Sequence, residues 1–218
     1  MKALLFPGQG SQIVGMGSEF HKNYKEVKDI FAEADEVLNF KISKIILEGP
    51  ESDLKLTENT QPSILIVSYA IYKIMIEKFG FNFNQFKYFA GHSLGEYSAL
   101  LCSESLNFKD ALYLLRERGK AMQQAVPVGK GAMLAVLNTQ MKEIKKHISE
   151  IKKKGVCEIA NDNSDGQIIV SGNSDLIGDL QNILKINKKK SILLPVSAPF
   201  HCSLMKEASE KMRVKINT

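Results

Sequence analysis

The residues with the clearest chemical potential are those of Gly91–Gly95, which read GHSLG and match the G-x-S-x-G pattern. The short aromatic run Phe86–Ala90 precedes this segment and a helix-compatible stretch follows it, which is the strand-turn-helix context of a serine nucleophile elbow. At such a turn free N–H groups and the helix dipole favour developing negative charge. The pattern therefore predicts Ser93 as a nucleophile. The alternative is a glycine-rich turn in which Ser93 only caps a helix.

A serine hydroxyl needs a base within hydrogen-bond reach to act at neutral pH. The chain has four histidines. His92 adjoins Ser93 at a turn, where neighbouring side chains point apart. His21 and His147 are predicted on the polar, exposed faces of helices. His201 lies where a predicted strand ends and a helix begins, which is where sites assemble in α/β sheets. Elimination favours His201 as the base, and a helix-start residue without chemistry is the alternative.

Acyl transfer also needs N–H donors for an oxyanion. The backbone N–H of Leu94, directly after the serine, is one such donor in a nucleophile elbow. The glycines on both sides of Gln9 let that loop approach closely, so its backbone N–H is a candidate for the second donor. An ordinary strand-to-helix turn explains the loop equally well. The loop lacks the glycine and lysine spacing of a P-loop or dinucleotide fingerprint.

Strands and helices alternate in the part of the chain that carries Ser93. A buried strand is predicted over Ala3–Phe6, and apolar residues at 3–4 spacing predict one long helix over Phe20–Leu38. Thr60–Pro62 indicates the start of a further helix, with proline in its first turn, which ends before Gly80. This alternation predicts an α/β fold with a mainly parallel sheet and an active site at the carboxyl ends of its strands.

The pattern changes after Gly129, where the order becomes βαββαβ, that of a ferredoxin-like unit. We therefore predict a small subdomain over residues 128–195, inserted into a catalytic part formed by residues 1–127 and 196–218. The predicted elements of the insert are a strand at Ala132–Leu137, a helix at Met141–Lys154, strands at Val156–Ala160 and Gln167–Ser171, a helix at Leu176–Ile186 and a strand at Ile192–Val196.

Composition excludes several classes of protein. Of the 218 residues 44% are hydrophobic and 24% charged, as in ordinary globular proteins, and the longest apolar run, Ile64–Ile76, is too short to span a membrane. Three scattered cysteines predict neither disulfides nor a zinc site and favour a reducing cytoplasm. Lysines cluster at Lys142–Lys154 and Lys188–Lys190, which indicates a solvated face or a docking surface for an acidic partner. Without interleaved aromatic residues they do not indicate nucleic acid binding.

Four segments occur along the chain in this order: FPGQGSQ, GHSLGEYSAL, RGKAMQQAVPVGKGAM and SAPFHCSLM. With them the chain resembles the malonyl-CoA:acyl carrier protein transacylases, acyltransferases that load extender units in fatty acid synthesis. The motifs span Phe6 to Met205, nearly the whole chain. The resemblance implies an α/β-hydrolase-like core with a ferredoxin-like insert.

The resemblance also assigns roles. It implies Ser93 as the acylated nucleophile, His201 as its base, and the N–H groups of Gln9 and Leu94 as the oxyanion hole. It implies Arg118 as the residue that binds the free carboxylate of the malonyl group, a choice that residue physics alone does not make between Arg118 and Arg116. Further residues implied along the acyl and pantetheine path are Met122, Asn161, Asn163 and the bulky Phe200, which restricts branched extenders.

The substrates implied are malonyl-CoA and phosphopantetheinylated acyl carrier protein, with no metal or bound redox cofactor. Acyl carrier proteins are typically acidic, so charge reversal at Lys152–Lys154 is expected to weaken transfer to the carrier. Family members also continue beyond Thr218 with residues that complete the large domain and orient the histidine. On this expectation the chain is a shortened member, and the alternatives are a non-catalytic remnant, a carrier-binding module, or a serine thioesterase or hydrolase.

Overall fold

A computed structural model describes residues 1–127, 129–151, 154–196 and 198–217. The chain divides into two compact units, Met1–Lys120 and Ala121–Thr218, and both mix strands with helices. Among the described residues, no helix combines the length and the apolar character needed to cross a membrane.

The first unit contains a two-stranded parallel sheet of β1 (Lys2–Phe6) and β2 (Phe86–Gly91). Parallel pairing places the carboxyl ends of both strands at the same edge, with Phe6 opposite Gly91. The helices that begin in this unit are α1 (Ser18–Asn23), α2 (Lys25–Leu38), α3 (Ile42–Glu48), α4 (Glu51–Leu54), α5 (Thr57–Glu77), α6 (Gly95–Cys102) and α7 (Phe108–Ala125).

The prediction of a buried first strand is wrong for one of its faces. Phe6 is buried beside Ala99 and Cys102 of α6, but Leu5 is 73% exposed. Successive side chains of a strand point to opposite faces of the sheet, so α6 covers only the face that carries Phe6. The apolar run Ala3–Phe6 therefore does not indicate that both faces of the strand are buried.

The helix predicted over Phe20–Leu38 is divided in two. Tyr24 has φ −123° and ψ 124°, an extended conformation that ends α1 and precedes α2. The apolar spacing still predicts the buried face correctly, because Val27 and Phe31 of α2 lie in the core with residues of α5. That core also contains residues of α3, α6 and α7.

Helix α5 begins three residues before the predicted start, so Pro62 lies inside the helix and not in its first turn. Proline has no N–H to donate to the carbonyl of Glu58, four residues earlier. Arg116 of α7 donates to that carbonyl at 2.8 Å and also to the side-chain oxygen of Asn59. A side chain distant in sequence thus replaces the hydrogen bond that the proline removes.

Replacing Arg116 with methionine is expected to lower the free energy of unfolding by about 2 kcal/mol, because the Glu58 carbonyl then loses its partner. Urea denaturation at unchanged m-value measures this loss, and an Arg116→Lys variant should recover part of it. A change below about 0.5 kcal/mol, the usual range for surface substitutions, would show that Arg116 does not satisfy the α5 backbone.

The second unit contains a four-stranded antiparallel sheet in the order β4-β5-β3-β6, and the predicted element order βαββαβ is confirmed. Its elements are β3 (Gly131–Leu137), α8 (Met141–Ser149), β4 (Cys157–Ser164), β5 (Gln167–Asn173), α9 (Ser174–Ile186), β6 (Lys190–Leu193) and α10 (Lys206–Ile216). Helix α8 ends before the predicted Lys154, and the predicted docking residues Lys152 and Lys153 lie outside the described part of the chain.

The predicted exposure of His147 is also wrong. His147 follows Ile144 by three residues and shares its buried face of α8, although lysines surround both in sequence. Its Nδ1 lies 3.2 Å from the Glu150 carboxylate. His21 is half-buried against Phe31, with ring centroids 5.0 Å apart, and this burial lowers the pKa of His21. The amphipathic spacing, and not the local charge, decides which helical face is buried.

Candidate active site

Ser93 occupies a tight turn between β2 and α6. Its φ of +54° lies in the left-handed region, a strained conformation for a residue with a Cβ. A Cβ at Gly91 would overlap the backbone of Gly95 and Glu96, and a Cβ at Gly95 would lie 2.7 Å from the carbonyl oxygen of Pro7. The turn therefore needs glycine at both positions, which explains the G-x-S-x-G spacing.

The loop after β1 lies against this turn. The N–H of His92 donates to the carbonyl of Phe6 at 3.1 Å, and a Cβ at Gly8 would lie 2.7 Å from the His92 carbonyl oxygen. The side chain of Gln9 donates from Nε2 to Thr57 Oγ1 at 3.3 Å, which ties the loop to the start of α5. Glycine at position 8 thus permits the close approach that brings Gln9 towards the elbow.

The two N–H groups predicted for the oxyanion hole share one feature. Neither the backbone N–H of Gln9 nor that of Leu94 donates a hydrogen bond to another described residue. Leu94 itself is only 1% exposed, and the N–H groups of Gly95 and Glu96 are bonded within the turn. Leu94 directly follows Ser93, so its N–H is of the kind that an oxyanion at the serine requires.

Arg118 of α7 reaches the same turn. Its Nη2 donates to Ser93 Oγ at 3.1 Å, and its Nη1 donates to the side-chain oxygen of Gln61 at 2.6 Å. Burial lowers the pKa of Arg118, and electrostatic interaction with Tyr97 and Glu96 opposes this effect. Over the described residues no carboxylate lies within ion-pair distance of Arg118. A guanidinium, which stays protonated, therefore faces Ser93 with neutral acceptors only.

His201 lies in the second unit, two residues before a 3₁₀ turn at Ser203–Met205 that leads into helix α10, so the predicted helix start is confirmed. The predicted strand end is wrong, because β6 ends at Leu193 and not at Val196, and His201 does not directly follow a strand. It is exposed and has φ +58°, in the left-handed region. The N–H and hydroxyl of Ser203 both donate to the Glu158 carboxylate, at 2.8 and 2.7 Å. This double contact fixes the backbone that follows His201.

The family model described as "Acyl transferase domain" matches residues 3–218. The chain belongs to the acyl transferase family. It is 44% identical over 213 residues to the malonyl CoA-acyl carrier protein transacylase of Bacillus subtilis strain 168, a match that covers 97% of this chain and 66% of the relative.

Two solved structures resemble this acyl transferase closely. The acyl-carrier-protein S-malonyltransferase of Bartonella henselae has a TM-score of 0.94 and 41% identity, with 100% of this chain and 70% of that one covered. A malonyl-transacylase solved in complex with its type II PKS acyl-carrier protein has a TM-score of 0.93 and 38% identity, with 99% and 69% covered. The chain thus spans about two thirds of the length of these relatives.

The acyl transferase motif Arg118-Gly119-Lys120 has a packing cause. A Cβ at Gly119 would lie 2.7 Å from the carbonyl oxygen of Thr57, so only glycine allows α7 to approach the first turn of α5 this closely. The approach brings Arg118 to Gln61, a residue of α5 that is fully buried.

Gln61 was missed by sequence reasoning, which treated it only as part of a helix start. A signal existed, because Gln61 is a polar residue directly before Pro62 and the apolar run Ile64–Val67, and a buried amide must find partners. The sequence did not identify the partner, since Arg118 belongs to another helix.

The remaining predicted residues of this acyl transferase lie in the second unit. Met122 and Phe200 are 7% and 5% exposed and share one apolar cluster. Asn161 pairs with Ile169, a member of the same cluster, and Asn163 donates to the Gln167 side chain at 3.3 Å. All four residues therefore lie in the unit that carries His201, and two of them, Met122 and Phe200, share its apolar cluster.

Cysteine chemistry does not compete with Ser93 in this acyl transferase. All three cysteines are free thiols. Burial raises the pKa of Cys102 to about 12 and that of Cys157 to about 11, and it also raises the pKa of Cys202. Such thiols are protonated at neutral pH and react slowly. Among the described residues no group of three or more His, Cys, Asp or Glu side chains is placed to hold a metal ion.

Proposed function

We propose that this chain transfers a malonyl group from malonyl-CoA to the phosphopantetheine thiol of an acyl carrier protein through an acyl-Ser93 intermediate. The observation that carries the proposal is the guanidinium of Arg118, 3.1 Å from Ser93 Oγ and without a carboxylate partner in the described chain. A malonyl group differs from acetyl by one carboxylate, which an arginine fork binds with two hydrogen bonds. The names of the relatives agree with this substrate.

In the first half-reaction His201 accepts the Ser93 proton while Oγ attacks the thioester carbonyl carbon. The carbonyl oxygen becomes an oxyanion that accepts hydrogen bonds from the N–H groups of Gln9 and Leu94. The intermediate collapses by breaking the carbon–sulfur bond, and the CoA sulfur leaves as a thiol with the proton that His201 returns. Arg118 holds the malonyl carboxylate throughout, so the acyl carbon stays placed at Ser93.

In the second half-reaction the pantetheine thiol of the carrier gives its proton to His201 and attacks the ester carbon. The same N–H groups stabilise the second oxyanion. The carbon–oxygen bond to Ser93 then breaks, and His201 protonates the released serine oxygen. The result is a malonyl thioester on the carrier and a regenerated enzyme.

The fold that we propose for the two parts of the chain agrees with this site. We propose an α/β-hydrolase-like core over residues 1–127 and 196–218, with a ferredoxin-like subdomain at 128–195. The βαββαβ order and the strand order β4-β5-β3-β6 agree with the second assignment, and the parallel β1-β2 pair before the elbow agrees with the first. Met122, Asn161, Asn163 and Phe200 would then line the acyl and pantetheine path.

An acidic carrier protein fits the charge of α8. Lys142, Lys145 and Lys146 are exposed and line one shallow depression with Glu143 and Ser149. A solved relative binds its acyl-carrier protein, which supports the same partner class for this chain. Three reduced thiols agree with a cytoplasmic location, which we also propose.

Reversing the charge of Lys142, Lys145 and Lys146 to glutamate is expected to slow transfer to the carrier about tenfold at low salt, since charges at the edge of an interface act mainly on association. Malonylation of Ser93 by malonyl-CoA should not change. Stopped-flow transfer to holo carrier protein measures the effect, which should shrink at high ionic strength. Equal rates for the variant and the wild type at low salt would exclude α8 as the docking surface.

The proposed function is tested by incubating the chain with malonyl-CoA and holo acyl carrier protein and measuring the mass of the carrier by mass spectrometry. Malonylated carrier, formed in proportion to enzyme, is the expected product. Free malonate released without carrier would instead show a hydrolase, and an unchanged carrier with folded enzyme would show a non-catalytic chain.

A further inference from the structure

The two arginines of α7 are held by different chemistry. Arg116 has a carboxylate partner, with its Nη2 3.3 Å from Glu58 Oε1. Arg118 instead donates to a carboxamide, the side-chain oxygen of Gln61, at 2.6 Å. Both acceptors lie on the first turns of α5. The same helix therefore gives one arginine a carboxylate partner and the other a neutral acceptor, and in the described chain no carboxylate lies within ion-pair distance of Arg118.

A carboxamide oxygen and a carboxylate oxygen orient a guanidinium in the same way, because both accept N–H donors in the same geometry. They differ in charge. A carboxylate would occupy Arg118 as an ion pair and compete with any anionic group that binds there, whereas a carboxamide fixes the fork and leaves its positive charge for a ligand. Gln61 is fully buried, so its side chain has little freedom to release Arg118.

We propose that Gln61 is a positioning residue that makes this site selective for an acyl group with a free carboxylate, by holding Arg118 through a neutral acceptor. The proposal rests on the malonyl transfer proposed above. Nη2 of Arg118 contacts Ser93 Oγ while Nη1 contacts Gln61, so Gln61 fixes where the acyl carboxylate lies relative to the nucleophile. The neutrality of residue 61 is therefore part of the selectivity, in addition to its shape.

The test is the isosteric substitution Gln61→Glu, with Gln61→Met as a variant that removes the acceptor. We expect Gln61→Glu to slow malonylation of Ser93 about 100-fold, because a desolvated charge partner now competes with the substrate. Acetylation from acetyl-CoA should change less than about threefold, since it needs no free guanidinium. Gln61→Met should slow malonylation about tenfold, the effect of one lost hydrogen bond of about 1.4 kcal/mol.

Gln124→Glu is the matched control. Gln124 is also a glutamine whose side-chain oxygen accepts from a cation, Lys211, at 3.3 Å, but it is exposed and lies in the second unit. Its substitution should leave the malonyl-to-acetyl ratio unchanged. A loss of that ratio in Gln124→Glu would show that added negative charge anywhere on the protein repels the substrate, and this would overturn the role of Gln61.

Thermal unfolding gives a readout that needs no activity. Adding Arg118→Met to Gln61→Glu should lower the Tm by about 6 °C or more, because the buried carboxylate then loses its partner. If the wild type is acylated and Gln61→Glu keeps the wild-type malonyl-to-acetyl ratio, the role of Gln61 is overturned while the proposed function stands. A folded wild type that takes neither acyl group would overturn the proposed function and, with it, the role of Gln61 in the reaction.

Discussion

Replacing Ser93 with alanine is expected to lower the rate of malonyl transfer by at least about 10⁴-fold, since removal of the nucleophile in a serine-histidine site leaves only binding and oxyanion stabilisation. The reason is the turn itself. The strained φ of +54° and the two close-packed glycines hold one hydroxyl within hydrogen-bond distance of Arg118. Steady-state transfer to the carrier protein measures the loss.

Ser103→Ala is the control for this substitution, because Ser103 is an exposed serine at the other end of α6 whose hydroxyl donates to the Leu100 carbonyl at 3.1 Å. It should retain the wild-type rate. Transfer by Ser93→Ala at more than about a hundredth of the wild-type rate would place the nucleophile elsewhere.

Replacing Arg118 with methionine is expected to slow malonylation of Ser93 about 1,000-fold while acetylation changes far less. A site whose polar group is matched to a substrate carboxylate loses that interaction only for the substrate that carries it. Arg118→Lys should recover little, because a point charge cannot replace two parallel N–H donors. Parallel acylation rates with malonyl-CoA and acetyl-CoA, measured by intact mass, give the ratio.

Arg116→Met provides the opposite outcome on the same helix. Its guanidinium donates to the Glu58 carbonyl of α5 and lies 4.6 Å from the centre of the Phe40 ring. We assign it no role in binding the acyl group. We expect the variant to lose stability and to keep the malonyl-to-acetyl ratio. An equal fall in both acylation rates for Arg118→Met would show that Arg118 supports the fold of the elbow and does not bind the carboxylate.

Local sequence physics predicted the elbow because its pattern, G-x-S-x-G between a strand and a helix, lies in one segment. The turn itself requires glycine at 91, whereas the carboxyl end of β1, distant in sequence, requires glycine at 95. The βαββαβ order was predictable for the same reason, since each element carries its own apolar period. These are the features that a single chain segment determines.

Features that depend on distant partners were not predictable from a segment. The start of α5 was placed too late because Pro62 is tolerated inside the helix only with Arg116 of α7 as a substitute donor. Gln61 was missed because its partner, Arg118, also comes from α7. The choice between the two arginines came from a motif resemblance, and the structure gives the two side chains different partners.

The central claim is that Ser93 accepts a malonyl group from malonyl-CoA, and the most direct test is to locate the adduct. The chain is incubated briefly with malonyl-CoA, digested, and its peptides are analysed by mass spectrometry before and after addition of holo acyl carrier protein. We predict one malonyl ester on Ser93 that disappears when the carrier thiol is added. A folded protein without an adduct, or with one on a different residue, would contradict the account.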